Sequence, residues 1–108
     1  MKKNKRHNVK AGEIWVINDG KTKGHKTIIT KNSANTVKHI PITHSPITRK
    51  RKNYKLEENP SKDDNRTSYI LPKVQISNKK FLGREHPEMK IVNPIDKSKI
   101  RYIKKKSK

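Results

Sequence analysis

Apolar and polar positions alternate along short stretches of the chain, which is typical of half-buried β-strands. Residues 12–18 (GEIWVIN) alternate in this way and end at the turn signal NDG. Residues 25–31 (HKTIITK) and 36–43 (TVKHIPIT) repeat the pattern, with the turn signal SAN between them. Three consecutive strands are therefore predicted, and Trp15 is predicted to face the core.

The second half of the sequence predicts shorter elements. Charged and turn-forming residues over 45–53 predict a long basic loop, and those over 58–66 predict a turn-rich connection. Short strands are predicted at 54–57, 67–71 and 74–76, with the last two separated by a proline.

A helix is predicted near the C-terminus. Asn93 is a suitable N-cap, and Pro94 suits the first helical position, so the helix is expected from Pro94 to about Lys104. Isoleucine and valine number 18 against 3 leucines, a balance that favours strands over helices. The sequence thus predicts a mainly β protein of five or six strands, a small β-barrel or SH3-like sheet, with a short C-terminal helix.

Length and charge narrow the class of protein. The chain has 108 residues, of which 28% are hydrophobic, and 29 Lys and Arg oppose 9 Asp and Glu, for a net charge of +20. One small domain is expected, and the absence of cysteine excludes a disulfide-stapled scaffold. Nucleic acid is the predicted partner, because phosphates neutralise such a charge and release counterions. An anionic membrane, a protein partner or simple solubility are the alternatives.

The basic residues are concentrated in three places. Residues 1–10 and 104–108 are predicted to be basic arms on either side of a domain spanning 11–103, and Arg49–Lys52 forms a cluster within the predicted loop. No apolar run follows the N-terminal basic segment, so we predict a cytoplasmic protein without a signal peptide or a membrane segment.

Known motifs for metals and nucleotides are missing from the sequence. The five histidines show no zinc-ligand spacing, and neither a P-loop nor a dinucleotide-binding glycine motif is present. We therefore expect no metal and no cofactor.

Four polar residues mark the ends of two predicted strands. His25 and Lys26 open the second strand, and Thr43 and His44 close the third. If the two strands form an antiparallel hairpin, these ends are neighbours. Histidine transfers protons near neutral pH and lysine stabilises a negative phosphorane, so the set suits cleavage of an RNA phosphodiester. The alternative is that these are solvated strand ends that contact phosphate without chemistry.

A second set of residues is predicted to hold a nucleic-acid strand. It combines cations, an aromatic ring for stacking and a hydroxyl: Arg49, Lys50, Arg51, Lys52, Tyr54, Arg66 and Ser68. For Ser68, an ordinary place at a strand edge is the competing interpretation.

Taken in order, the segments GEIWVIN, GHKTIIT, HIPIT and DNRTSYILPKVQ resemble the MazF/PemK family of toxin endoribonucleases. The resemblance covers roughly residues 12–83. It implies an SH3-like barrel of the MazF/PemK/CcdB type with a peripheral helix, a homodimer, an antitoxin partner and metal-independent cleavage of single-stranded RNA. The family's catalytic threonine falls on Thr43 and its catalytic arginine on Lys26, which keeps the charge but lacks the bidentate fork.

Two functional hypotheses follow, and a third is weaker. In the first, the protein is a MazF/PemK-like endoribonuclease in which Lys26 stabilises the phosphorane, His44 or His25 moves protons and Thr43 positions the phosphate. In the second, it is a non-catalytic basic SH3-like module that binds DNA or RNA. In the third, it is a ribosome-associated protein whose basic arms thread through RNA.

Overall fold

The computed structural model describes residues 9–18, 25–59 and 66–106, without the side chains of residues 25 and 84–89. This part of the chain forms nine strands, a short 3-10 turn at Lys79–Phe81 and one helix. The elements are β1 (Glu13–Ile17), β2 (His25–Asn32), β3 (Thr36–Thr43), β4 (Ile47–Thr48), β5 (Arg51–Lys52), β6 (Tyr54–Lys55), β7 (Tyr69–Ile70), β8 (Gln75–Asn78), β9 (Leu82–Lys90) and α1 (Pro94–Lys106).

Seven of the described strands form one antiparallel sheet in the order β6-β7-β3-β2-β1-β9, with β8 also paired to β3. The mainly β prediction is confirmed. The predicted closed barrel is not found, because β6 and β9 lie at opposite ends of this order and do not pair with each other.

The pairing along β3 explains why the sheet stays open. Thr36–His39 pair with β8, whereas Ile42 and Thr43 pair with β7, so two separate segments share one edge of β3. Since β6 and β7 have only two residues each, the ladder on this side is too short to curl round and meet β9.

The three strands predicted first are confirmed to within a residue or two of their bounds. Three predictions differ from the structure. The 45–53 loop contains the two-stranded β4–β5 hairpin, and β9 was not predicted because its sequence, LGREHPEMK, is charged and contains a proline. Helix α1 continues through Lys106, so Lys104–Lys106, assigned to the basic tail, are helical.

Apolar side chains fill both faces of the central sheet. Ile14 and Ile28 belong to the cluster that α1 covers through Ile103, whereas their neighbours Trp15 and Ile29 belong to a second cluster on the other face. The prediction that Trp15 is a core residue is confirmed, since its side chain is 1% exposed. Helix α1 therefore defines one face of the sheet, and the groove described below lies on that side.

The carboxylate of Glu13 is buried at the start of β1 and is held by hydrogen bonds. Oε1 of Glu13 accepts hydrogen bonds from the Lys10 amide (2.8 Å) and the Trp15 indole (3.2 Å). Gly12, just before β1, has a φ of +91°, a backbone conformation that glycine adopts without strain. Its amide donates to the Ile29 carbonyl of β2, and its carbonyl accepts from the Ile91 amide that follows β9.

The N-terminus of α1 is capped as the sequence predicts. The Asn93 side chain accepts hydrogen bonds from the amides of Ile95 (2.9 Å) and Asp96 (3.2 Å). The fully buried Asp96 in turn accepts from the amides of Glu57 (2.7 Å) and Glu58 (3.2 Å), which fastens the helix to the segment after β6.

Some predictions fall on residues outside the described part of the chain. These are the N-terminal arm over 1–8, the turn over 19–24, most of the connection over 58–66, and residues 107–108. Val9, assigned to the N-terminal arm, is 3% exposed and packs in the second core cluster. Within the described residues, no helix has the length and apolar character needed to cross a membrane.

Candidate nucleic-acid interface

The predicted rim residues lie where β2 begins and β3 ends. The cross-strand pair Thr27 and Pro41 fixes the register, so these two strand ends are adjacent, as expected from the sequence. Strand alternation then places Lys26 on the helix-covered face of the sheet and Thr43 on the opposite face. The side chain of His25 lies outside the described part, so the neighbouring strand ends do not by themselves bring the four groups together.

Thr43 and His44 both make hydrogen bonds to nearby backbone. The Thr43 hydroxyl accepts from the Ser45 amide (3.2 Å), which shapes the turn after β3. The exposed His44 lies with Nδ1 3.2 Å from the Thr67 carbonyl oxygen. A carbonyl can only accept, so Nδ1 carries the proton and Nε2 is the basic nitrogen of the neutral ring. The sequence analysis assigns proton transfer to His44 or His25, and His44 is the one of the two whose side chain is described.

The cluster at Arg49–Lys52 belongs to a tight hairpin. Thr48 of β4 pairs with Arg51 of β5, which leaves Arg49 and Lys50 as a two-residue turn. Their φ angles are +51° and +67°, the left-handed region that a type I′ turn needs at both positions and that Asn-Gly normally fills. Two exposed cations thus occupy a backbone conformation that disfavours their side chains.

Asn53 holds this hairpin in place. Its side-chain Nδ2 group donates to the Ser45 carbonyl (2.9 Å) and to the Thr48 hydroxyl (2.8 Å). Its backbone N–H donates to the Pro46 carbonyl. Because Asn53 is buried, these bonds tie the base of the hairpin to the turn after β3. The basic tip is therefore anchored at a defined position.

The other residues predicted to bind nucleic acid differ in exposure. Arg66 is exposed, whereas Ser68 is 3% exposed and its hydroxyl donates to the Asn59 side chain (3.1 Å). Tyr54 is half-buried and meets Tyr102 edge-on, with 6.3 Å between ring centroids. The Ser68 hydroxyl is therefore occupied by a neighbouring side chain, and Tyr54 offers less open ring surface than Tyr102.

A groove of about 810 Å³ lies between α1 and the sheet. Strands β2 and β3 contribute Lys31 and Lys38, and Val74 and Ile76 form an apolar part of the lining. Helix α1 contributes the remaining long side chains: Arg101, Tyr102, Lys104 and Lys105.

A second pocket of about 570 Å³ shares the lining residue Val74 with the first, and the two pockets together are called the groove below, with each pocket as one section of it. The basic residues of the second pocket come from the hairpin, the segment before β8 and the end of α1: Arg51, Lys52, Lys73 and Lys106. The groove therefore gathers nine Lys and Arg, and the described lining residues include no Asp or Glu.

Like charges in this groove are placed next to each other. Lys31 and Lys38 are direct cross-strand partners, an arrangement in which two cations repel. Arg101 and Lys105 stand four residues apart on α1, which is also unfavourable for two cations. A polyanion lying along the groove would relieve both repulsions, so the arrangement favours an anionic ligand.

The acidic residues of α1 and its neighbours lie elsewhere. Asp96 is buried, and Glu57 pairs with Lys99 at 3.1 Å. The Lys99 ammonium also donates to the Lys55 carbonyl, so this lysine docks the helix. Helix α1 thus attaches to β6 through Lys99, whereas Arg101, Lys104 and Lys105 of the same helix line the groove.

Sequence reasoning found only part of this groove. It identified Arg51 and Lys52 from their charge run, but it assigned Lys104–Lys106 to a tail and passed over Lys31 and Lys38. The spacing of Arg101, Lys104 and Lys105 at i, i+3 and i+4 was the available signal for a basic helix face. The pairing of Lys31 with Lys38 depends on a register shift in β2 after Ile29, which no local pattern announces.

A buried histidine network crosses the sheet on the other face. His39 is 1% exposed, with Nδ1 2.7 Å from the Thr27 hydroxyl and Nε2 2.8 Å from the Ser77 hydroxyl. The order serine–histidine–threonine resembles a nucleophile, a base and an orienting group. None of the three lines either section of the groove, and the bonds satisfy a buried polar ring, so we assign the network a structural role.

Among the described residues, no group of three or more His, Cys, Asp or Glu could hold a metal ion. The chain matches no protein-family model and no curated protein sequence. What the protein does must therefore be argued from the groove itself.

Proposed function

We propose that the protein binds nucleic acid along the groove between α1 and the sheet. The observation that carries the proposal is the gathering of nine Lys and Arg in a groove whose described lining holds no carboxylate. Phosphates spaced along a strand match such a row of cations, and their neutralisation releases counterions. RNA in preference to DNA is the part of the proposal that comes from the resemblance to MazF/PemK proteins.

The placement of the charge supports nucleic acid over a role in solubility alone. Charge that only keeps a protein soluble needs no particular position, and repulsion would spread it over the surface. Here Lys31 and Lys38 face each other across a strand pair. An extended polyanion fits the length of a groove that runs from the Lys31–Lys38 pair to the hairpin.

The proposal is tested by removing three groove charges. In the variant with Lys38→Gln, Arg101→Gln and Lys105→Gln, we expect the dissociation constant for a 20-nucleotide RNA to rise roughly ten- to hundredfold. Three exposed ion pairs of about 0.5–1 kcal/mol each give a change of this size. Fluorescence anisotropy at a fixed salt concentration measures it.

The matched control removes three exposed lysines that do not line the groove, by Lys80→Gln, Lys90→Gln and Lys97→Gln. Both variants lower the net charge equally, so a general charge effect would weaken them to the same extent. Equal loss in the two variants would contradict binding in the groove. The same titration with DNA, with anionic vesicles and with an acidic protein decides among the other polyanions.

A MazF/PemK-like endoribonuclease with an SH3-like fold is the second candidate. The observation that favours it is the adjacency of the start of β2 and the end of β3, which brings the backbones of Lys26 and Thr43 close together although their side chains lie on opposite faces of the sheet. In this proposal RNA held by the basic residues reaches that rim for cleavage, and a homodimer and an antitoxin complete the system.

Cleavage and binding are separated by mapping RNA ends. Purified protein is incubated with a long single-stranded RNA in the presence of a chelator, and the 5′ and 3′ ends of the products are sequenced. Specific cuts that disappear in Lys26→Ala would establish the endoribonuclease. Tight binding without cuts would leave the binding module, and sedimentation analysis of the same samples reports the oligomeric state.

A further inference from the structure

The groove is not uniformly charged, because an exposed apolar strip runs through it. Ile76 is 63% exposed and Tyr102 is 53% exposed, and Val74 lies between the two sections of the groove. Lysine and arginine side chains flank this strip on both the strand side and the helix side.

The strip distinguishes between kinds of nucleic acid. A duplex stacks its bases inside and presents phosphates and sugars, so an apolar strip gains little from contact with it. A single strand carries unpaired base faces that lose water when they lie against apolar or aromatic side chains. The combination of cations at the borders and exposed apolar groups in the middle favours the single strand.

Tyr102 is held in a position suited to stacking. The edge-to-face contact with Tyr54, at 61° between the ring planes, supports the ring from the core side. The Lys106 ammonium lies 5.3 Å from the centre of the Tyr102 ring. This lysine is one turn further along α1 and has a flexible stem, so it can leave the ring without any change in the backbone.

We propose that Tyr102 is a base-stacking site, at which an unpaired base displaces the Lys106 ammonium from the ring. The displaced ammonium then pairs with a phosphate of the same strand. The cation–π contact of the free protein is exchanged for a stacking contact and an ion pair, so the ring face is covered in both states. This inference rests on the proposed binding of nucleic acid in the groove.

The test compares strands with and without bases. The probes are a 12-nucleotide oligouridine and an abasic sugar–phosphate strand of the same length, titrated into the full chain. We expect the wild type to bind the base-bearing strand about tenfold more tightly, because stacking on one aromatic ring contributes roughly that factor. Tyr102→Leu should lose this advantage and leave the abasic strand unaffected.

Tyr102→Phe is the matched control, because it keeps the ring and removes only the hydroxyl. Its affinity for oligouridine should stay within about twofold of the wild type. Circular dichroism and thermal unfolding establish that each variant is folded. If Tyr102→Leu is not folded, Tyr102→Gln, which also removes the ring from this exposed helix position, takes its place in the comparison.

The outcomes separate this inference from the function on which it rests. If the wild type binds oligouridine and the abasic strand equally, and the groove variant loses affinity for both, the stacking inference is overturned. Binding of nucleic acid in the groove is then retained. If a folded Tyr102→Leu loses affinity for the base-bearing and the abasic strand to the same extent, the stacking inference is overturned as well. It is also overturned if a duplex binds as tightly as the single strand. If the groove variant binds both strands like the wild type, the proposed function itself fails.

Discussion

At the scale of single residues, polar side chains buried in the core, such as His39, need hydrogen-bond partners within the protein. His39 is enclosed between the hydroxyls of Thr27 and Ser77, each of which lies within hydrogen-bond distance of one ring nitrogen. The pattern TVKHIPIT gives no hint of such a pairing, because it depends on the neighbours that β2 and β8 place beside β3. Sequence analysis therefore located the strand but not the partner of its histidine.

Thr27→Val tests the network with almost no change in side-chain volume. The substitution leaves a buried ring nitrogen without its hydroxyl partner, and we expect the free energy of unfolding to fall by about 1–3 kcal/mol. Urea unfolding at pH 7 measures the change. In a His39→Leu background the same substitution should cost much less, because the ring nitrogen that the Thr27 hydroxyl serves is gone, and equal costs in the two backgrounds would argue against the network.

At the scale of elements, the β4–β5 hairpin places two exposed cations in a strained turn. A glycine or asparagine would mark this turn in the sequence, but Arg49 and Lys50 stand there instead, which is why the segment was predicted to be a loop. Where local preference and structure disagree in this way, function is the common reason.

Replacing the turn with Arg49→Asn and Lys50→Gly should move stability and binding in opposite directions. Relief of two left-handed residues is expected to raise the free energy of unfolding by about 1–2 kcal/mol. Arg49 and Lys50 line neither section of the groove but precede Arg51 and Lys52, which do, so their loss should weaken RNA binding by a smaller factor than the groove variant does. Chemical unfolding and anisotropy on the same samples measure both, and a variant that is less stable or binds more tightly would contradict this view of the hairpin.

Helix α1 is the element that assembles the groove, and Asp96 sets its position. Asp96→Ala leaves the amides of Glu57 and Glu58 without their acceptor, and we expect a loss of about 2–3 kcal/mol in the free energy of unfolding. RNA affinity should fall as well, because the basic residues of α1 line the groove. Thermal unfolding and anisotropy test this, with Lys97→Gln on the exposed side of the helix as the control.

The elements show why prediction from the sequence succeeded for some and failed for others. The cap at Asn93 and Pro94 is a local signal, and α1 starts where it predicts. Strand β9 has no such signal, since its pairing with β1 runs through two register shifts. The closed barrel was wrong for a related reason: whether a sheet closes depends on which edges meet, and the strands themselves do not encode that.

At the scale of the whole molecule, part of the net charge of +20 is concentrated in the groove beside α1. Sequence analysis assigned much of it to two arms and a loop. In the structure, strands, hairpin and helix bring nine Lys and Arg to one groove, while Glu13 and Asp96 are turned into the core. Nine of the 29 Lys and Arg of the chain therefore line this groove.

The salt dependence of RNA binding tests this account most directly. The logarithm of the association constant is plotted against the logarithm of the salt concentration for the wild type, the groove variant and the matched control. Each phosphate contact of a single strand contributes about −0.7 to the slope. We expect a steep negative slope for the wild type and the control, and a slope shallower by about 2 for the groove variant. A wild-type slope near zero, or the same slope in all three proteins, would contradict the account.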